Sequence, residues 1–191
     1  MTDLHSLLQQ LICGQDDLAE QAARQLTRYG EEAVTPLLEL LNSEDSDRRW
    51  WALRALADIP SLSSKTALIQ GLNDPDPAVR QCAALGLRVQ PTFDAVPELI
   101  PLLSNADSLL ARLAGDALAA VGAQAVPDLL LVMKNGAQSA RLEAVRALAL
   151  IGDPRAIPAL FTALGEDSTL MEYWATEGLD RMGVGITYVQ P

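Results

Sequence analysis

The 191-residue chain has one histidine, two cysteines, two lysines and 4% aromatic residues, and each scarcity excludes a chemistry. His5 is the lone imidazole and falls in the first helical pattern, so a histidine-based catalytic triad and a multi-histidine metal site are both excluded. Cys13 and Cys82 have no paired metal spacing and lie inside helical patterns, which predicts two reduced, buried thiols. No glycine-rich phosphate loop is present, because Gly183-Val184-Gly185 follows a helical pattern instead of opening one. Apolar runs stay well short of the roughly 20 residues that a membrane span needs, and no basic-then-apolar leader opens the chain. The expectation is a soluble, cytoplasmic protein with no catalytic residue, no metal ligand and no cofactor of its own.

Positive charge is also scarce. The formal net charge is −11, and only Lys65 and Lys134 accompany the arginines that make up the rest of the 14 basic residues. A nucleic-acid partner is disfavoured, since binding one needs a net basic face that releases counterions. The arginines that remain have planar, fork-shaped heads suited to pairing with carboxylates.

The chain does contain a repeat. The stretch Arg-Leu-Glu-Ala-Val-Arg-Ala-Leu-Ala-Leu-Ile-Gly, residues 141–152, has near-copies along almost the whole sequence. Ala22, Ala52, Ala83, Ala114, Ala144 and Ala175 recur every 30 or 31 residues, and Leu26, Leu56, Leu87, Leu118, Leu148 and Leu179 follow each of them by four. A repeat this short cannot bury its apolar side alone, so neighbours stabilise one another and the core runs as a ribbon.

Each repeat holds two helical patterns. Helix A is a short leucine stripe, as in Leu37, Leu38, Leu40 and Leu41, with Pro36, Pro97, Pro127 and Pro158 near the start of four of them, where a missing amide donor costs nothing. A polar turn follows, and Asp76 before Pro77 is its clearest helix cap. Helix B carries the alanine and leucine columns plus a small residue three positions after the alanine: Ala55, Gly86, Ala117, Ala147 and Gly178. It closes at Gly30, Gly122, Gly152 or Gly183, or before Pro60 and Pro91. This predicts an all-α array over residues 1–183, with repeats near 1–30, 31–61, 62–92, 93–122, 123–153 and 154–183, and a tail over 184–191.

With these columns drawn, the repeats resemble HEAT repeats, in the short form known as the phycobilisome-lyase HEAT-like repeat. The resemblance is carried by Asp74-Pro75-Asp76-Pro77-Ala78-Val79-Arg80, followed by Ala83, Ala84 and Leu87, and by the closing segment from Ala147 to Ala156. It implies a right-handed α-solenoid of six two-helix repeats, about 12 helices, with the B helices lining a concave groove. It also implies that the arginine opening helix B, present as Arg49, Arg80 and Arg141, pairs with an aspartate of a neighbouring turn. Proteins of this kind serve as lyase subunits, assembly factors and adaptors, in a cyanobacterial, phycobilisome-related setting.

On that groove the positions around each anchor alanine place a run of arginines, Arg24, Arg54, Arg88, Arg112 and Arg146, which either forms a positive strip or pairs with acids such as Asp116 and Glu143. Trp50-Trp51 and Tyr173-Trp174 occupy the same two repeat positions and are the natural contact residues in a chain so poor in rings. The first expectation is therefore a non-enzymatic adaptor that holds another protein in the concave groove through Trp50, Trp51, Arg54, Arg88, Arg112, Arg146, Tyr173 and Trp174. The alternative implied by the resemblance is a subunit of a phycobilin lyase or isomerase acting with a second subunit on a phycobiliprotein, with the arginines holding bilin propionates. A helical-repeat DNA-repair glycosylase is disfavoured by the net charge.

Overall fold

In the computed structural model, which describes residues 3–166 and 168–184, the chain is all-helical, and no strand occurs among the described residues. Twelve α-helices follow one another: α1 (Leu4–Leu11), α2 (Asp16–Leu26), α3 (Glu31–Leu40), α4 (Ser46–Leu56), α5 (Leu62–Gly71), α6 (Pro77–Val89), α7 (Val96–Leu102), α8 (Ser108–Val121), α9 (Val126–Asn135), α10 (Gln138–Ile151), α11 (Ile157–Ala163) and α12 (Thr169–Arg181). Odd-numbered helices are the A helices and even-numbered ones the B helices. The chain forms two compact halves, Met1–Thr92 and Phe93–Pro191, divided where the third repeat gives way to the fourth. The tail expected over 184–191 lies outside the described residues beyond Val184. No helix among the described residues is long and apolar enough to cross a membrane.

Local chemistry sets the helix boundaries. Asp45, Asp76 and Asp107 sit at the N-caps of α4, α6 and α8, and their carboxylates accept the free amides of Asp47, Ala78 and Leu109 at 2.8 to 3.0 Å. Pro97, Pro127 and Pro158 occupy the first turn of α7, α9 and α11. Pro36 departs from the expectation and lies inside α3. The other three helices are each preceded by a short 3-10 turn, at Phe93–Ala95, Gly122–Gln124 and Pro154–Ala156, whereas α3 begins directly after Gly30. The residues that form the turn elsewhere are helical here. Gly30, Gly122, Gly152 and Gly183 all have positive φ, and Gly152 is fully left-handed.

Within the N-terminal half, α1, α3 and α5 pack on their own B helices, and α4 contacts both α2 and α6; in the C-terminal half α10 packs between α8 and α12. The anchor alanines are all 0% exposed, and no leucine of the second column exceeds 1%. Between B helices the limit is set by the small-residue column. A Cβ built on Gly178 would stand 2.8 Å from both Cα and Cβ of Ala149, and one on Gly86 would meet Ala57 Cβ at the end of α4 at 3.1 Å and the Leu68 side chain of α5 at 2.5 Å. Backbones this close leave no room for a methyl group.

The turns are tied together by arginine. Arg49 Nε and Nη2 each donate to the Asp74 carboxylate at 2.8 Å, and Nη1 donates to the carbonyls of Ser43 and Glu44. At the equivalent place in the C-terminal half, Arg141 Nη2 pairs with Glu166. Arg80 instead donates to the carbonyls of Asp74 and Pro75 in its own preceding turn.

Two outcomes test this packing. Ala is the better helix former by about 1 kcal/mol, yet Gly178→Ala is expected to lower stability by a net ~1–2 kcal/mol because Ala149's backbone cannot move aside; the urea midpoint reads the sign. The second outcome concerns pH. Burial alone would raise the Asp74 pKa, but the bonds from Arg49 and the Asp76 amide hold it below the ordinary carboxylate value. A depressed pKa in the folded state gives stability that is complete above the ordinary value and lost as pH falls through the lowered one. Arg49→Met should therefore flatten the acid limb of the stability–pH curve, measured as urea midpoints between neutral and acid pH.

Candidate functional site

The expected contact residues fall on two B-helix faces, one in each half. In the N-terminal half, Trp50 and Trp51 stand edge to face, with ring centroids 4.7 Å apart. One turn further along α4, Arg54 Nη2 donates to Glu20 Oε1 at 2.7 Å and Nη1 donates to Asp58 Oδ2 at 2.6 Å. Glu20 also accepts from Arg24 Nε at 2.8 Å. Burial works against the Arg54 charge, but the two carboxylates outweigh it and hold its pKa above the ordinary value.

Between α4 and α6 lies an open cleft of about 220 Å³. Its walls are Ala57, Leu85, Gly86 and Val89, and its polar rim is Arg54, Asp58 and Arg88. Leu85 and Val89 remain exposed to solvent. Arg88 is exposed and makes no ion pair among the described residues. Cys82 lines the same cleft and donates from Sγ to the Trp50 carbonyl at 3.6 Å. Burial pushes its thiol up to about 12, with Arg54 pulling only weakly the other way. At neutral pH this sulfur is protonated and is not a nucleophile.

The face of the C-terminal half is built around Arg146, which is only 3% exposed. Its Nη1 donates to Asp116 Oδ1 at 2.6 Å, Nε to Glu143 Oε2 at 2.8 Å and Nη2 to the Arg112 carbonyl at 2.8 Å. Its guanidinium also lies 5.9 Å from the centre of the Trp174 ring, and Trp174 meets Tyr173 edge to face at 5.2 Å. Tyr173 and Arg112 point outward and are exposed.

The run of arginines is thus not a strip of free charge. Arg24, Arg54 and Arg146 are held by acids on their own or the preceding B helix, because Glu20 and Asp116 stand at groove positions of the neighbouring repeat. Arg88 and Arg112 are the members whose guanidinium groups make no ion pair among the described residues. Asp58 and Val89 were missed by the sequence reading; both lie six residues after their anchor alanine, a column it did not take as facing the groove. The expectation of two buried thiols holds for Cys82 but not for Cys13, which lies beyond the end of α1 in an exposed turn. Among the described residues, no three His, Cys, Asp or Glu side chains are grouped to hold a metal ion.

Comparison with known proteins gives this geometry its context. The model of the family described as HEAT repeats matches residues 4–88 and 65–135, and that of the PBS lyase HEAT-like repeat matches residues 140–165. The chain is 35% identical over 117 residues to a phycobilisome maturation protein of Synechococcus elongatus, covering 61% of this chain and 56% of that one. It is 40% identical over 76 residues to the bilin biosynthesis protein RpcF of a Synechococcus species, covering 40% of this chain and 36% of that one. The matched region therefore spans about half or less of the length of these relatives. Among solved structures, the complex of CpcE and CpcF of phycocyanin lyase from a Nostoc species aligns with TM-score 0.58 at 23% identity, covering 96% of this chain and 78% of that one. A designed armadillo repeat protein aligns at 0.60 with 20% identity, covering 94% and 99%. At these identities the structural likeness establishes the helical-repeat fold alone.

These relatives correct the first functional expectation. A general non-enzymatic adaptor accounts for the fold, but the sequence relatives are named for phycobilisome maturation and bilin biosynthesis, and they favour the lyase alternative. The expectation that the chain takes no part in an enzyme loses its support on the same ground.

The two cysteines supply a direct check on the site. Native protein at neutral pH should titrate one thiol with Ellman's reagent, that of Cys13, and two after denaturation. Rapid native modification of a Cys13→Ser variant would show that Cys82 is open and reactive.

Proposed function

We propose that this chain, which belongs to the HEAT-repeat family, is one subunit of a phycobilin lyase or isomerase that acts with a second polypeptide on a phycobiliprotein. The observation that carries this reading is the sequence similarity to a protein named for bilin biosynthesis, supported by the similarity to one named for phycobilisome maturation. The lyase complex of the same fold contains two different chains, which supports a second subunit as the partner.

The chemistry of the N-terminal face fits such a role. A bilin is a long, largely apolar pigment with propionate carboxylates. The cleft between α4 and α6 offers an apolar wall of Leu85 and Val89 beside Arg88, whose guanidinium is not committed to an acid of the described residues. Arg54, fixed by Glu20 and Asp58, contributes position more than free charge. A carboxylate entering the cleft would be taken by Arg88 in a charge-assisted, bidentate pair. The chain itself offers no covalent anchor there, because Cys82 is protonated, buried and bonded to the Trp50 carbonyl. The role left to this subunit is to bind and orient the pigment while the acceptor protein supplies the bond-forming group. Trp50, Trp51, Arg112, Tyr173 and Trp174 then serve as contacts for the polypeptide partners.

The test is reconstitution. Co-expression of this chain with a second lyase subunit, an apo-phycobiliprotein and phycocyanobilin should give bilin that stays attached after acid–urea denaturation, read by absorbance. Omitting this chain should abolish the attachment, and Arg88→Gln should slow it several-fold without lowering the folded yield. Attachment that proceeds equally well without this chain would remove the reading.

A further inference from the structure

The position seven residues after the anchor alanine holds Tyr29, Ile59, Val121, Ile151 and Met182 in five repeats and Gln90 in the third. An amide thus stands where the other repeats place an aromatic or aliphatic side chain, and it is buried, at 6% exposure. Its Nε2 donates to the carbonyls of Leu56 and Ala57, both at 2.8 Å, and its backbone N–H donates to the Gly86 carbonyl at 2.8 Å. Oε1 is buried too and accepts no hydrogen bond among the described residues. The opposite amide orientation would turn this oxygen onto two carbonyls, so the surroundings fix which atom faces α4.

A buried acceptor without a donor is costly, and native proteins rarely leave one so. A methionine, as at Met182, would fill the same place in the column without that cost. Stability alone is therefore a poor reason for glutamine here. What the amide joins are the two rims of the cleft between α4 and α6. Leu56 ends α4, Ala57 lines the cleft, and Asp58 holds Arg54 Nη1 at 2.6 Å. On the other side, Arg88 and Val89 immediately precede Gln90, which forms the C-cap of α6. Because α4 runs into Ile59 and Pro60 with no closing glycine, the amide supplies a donor to its last carbonyls.

We propose that Gln90 is a positioning residue for this cleft: by tying the end of α6 to the end of α4 it fixes how Arg88 stands against the Arg54–Asp58 rim, and so sets the grip on a carboxylate-bearing pigment. The identity of the ligand rests on the lyase reading, whereas the positioning rests on the bonds of Gln90 itself. Gln90 does not line the cleft. It acts through the backbone at Ala57 and through the helix end that carries Arg88. A bidentate carboxylate pair needs both distance and angle, so a loosened helix end weakens it more than it weakens apolar contact.

The experiment compares wild type, Gln90→Met and Ile151→Met, the last being the same replacement in the corresponding column of the C-terminal half. Bilin attachment is followed with purified chain, a second lyase subunit, apo-phycobiliprotein and varied phycocyanobilin, alongside urea midpoints and the ¹⁵N–¹H resonance of Arg54 Nε. Gln90→Met should fold with an unlowered urea midpoint, because apolar burial and removal of the orphaned Oε1 offset the two lost bonds. Its apparent KM for phycocyanobilin should rise about fivefold with kcat little changed, and the Arg54 Nε resonance should move as Asp58 shifts. Ile151→Met should leave KM and the resonance as in wild type. A lowered urea midpoint in Gln90→Met would make the amide a purely structural bond and overturn the assignment. An unchanged KM, or an unmoved Arg54 resonance, would overturn it as well. Attachment that does not require the wild-type chain would remove the lyase reading and the pigment with it, and the Arg54 resonance then decides the positioning by itself.

Discussion

The close approach of neighbouring B helices, permitted by a column of alanine and glycine, is the constraint on which the rest of this structure depends. Gly178 is small because the backbone of the preceding B helix, at Ala149, occupies the space where a side chain would go, as the 2.8 Å distance shows. Aromatic rings are correspondingly rare, and burial is supplied by many leucines and alanines at 0 or 1% exposure. Within each half, repeats that fit together this closely have little freedom to slide, so each fixes the register of its neighbour.

That spacing also determines the electrostatics of the faces. Because consecutive B helices within each half lie in contact, a side chain two positions after one anchor alanine reaches the residue two positions before the previous anchor. Arg54 finds Glu20 in this way, and Arg146 finds the Arg112 carbonyl. Arg146 adds Asp116 and Glu143, which cancels its charge within the protein. Buried ion pairs return little net stability once desolvation is counted. Their effect here is to fix two guanidinium groups and the Trp174 ring in place, so that the uncommitted guanidinium groups, Arg88 and Arg112, stand out against neutralised surroundings.

The fold was legible because the signal that specifies it is periodic. Every anchor alanine and every leucine four residues later is buried, and the caps at Asp45, Asp76 and Asp107 act as their residue types suggest. Pro36 was misplaced because α3 starts at Glu31, directly after Gly30, so that residues forming a 3-10 turn before the other three proline-bearing A helices are already helical here, and nothing at the proline itself marks that difference. Cys13 was misplaced because α1 stops at Leu11 and the chain has already left the helix. The site was only half legible. Column positions brought Trp50, Arg54, Arg146 and Trp174 into view, but nothing in a one-dimensional pattern says that Arg54 is paired and Arg88 is not. That difference depends on Asp58 and Glu20 lying on opposite sides of one guanidinium.

The departures in the repeat say more about a candidate binding site than its agreement does, while the functional reading itself rests on the sequence relatives. A repeat that matches its neighbours reports only that it stacks. Where Leu85 replaces an arginine of the same column, α6 gains an apolar wall, and Arg88, three residues later, restores a cation further along the same cleft. Separating apolar surface from charge in this way suits a ligand with a greasy body and acidic ends, and it would serve poorly for a flat acidic protein surface, which is better met by a row of evenly spaced cations. Cys82 is compatible with the proposed reading: a reactive thiol in the cleft would compete for an electrophilic ligand, and burial keeps this one protonated and bonded to the Trp50 carbonyl.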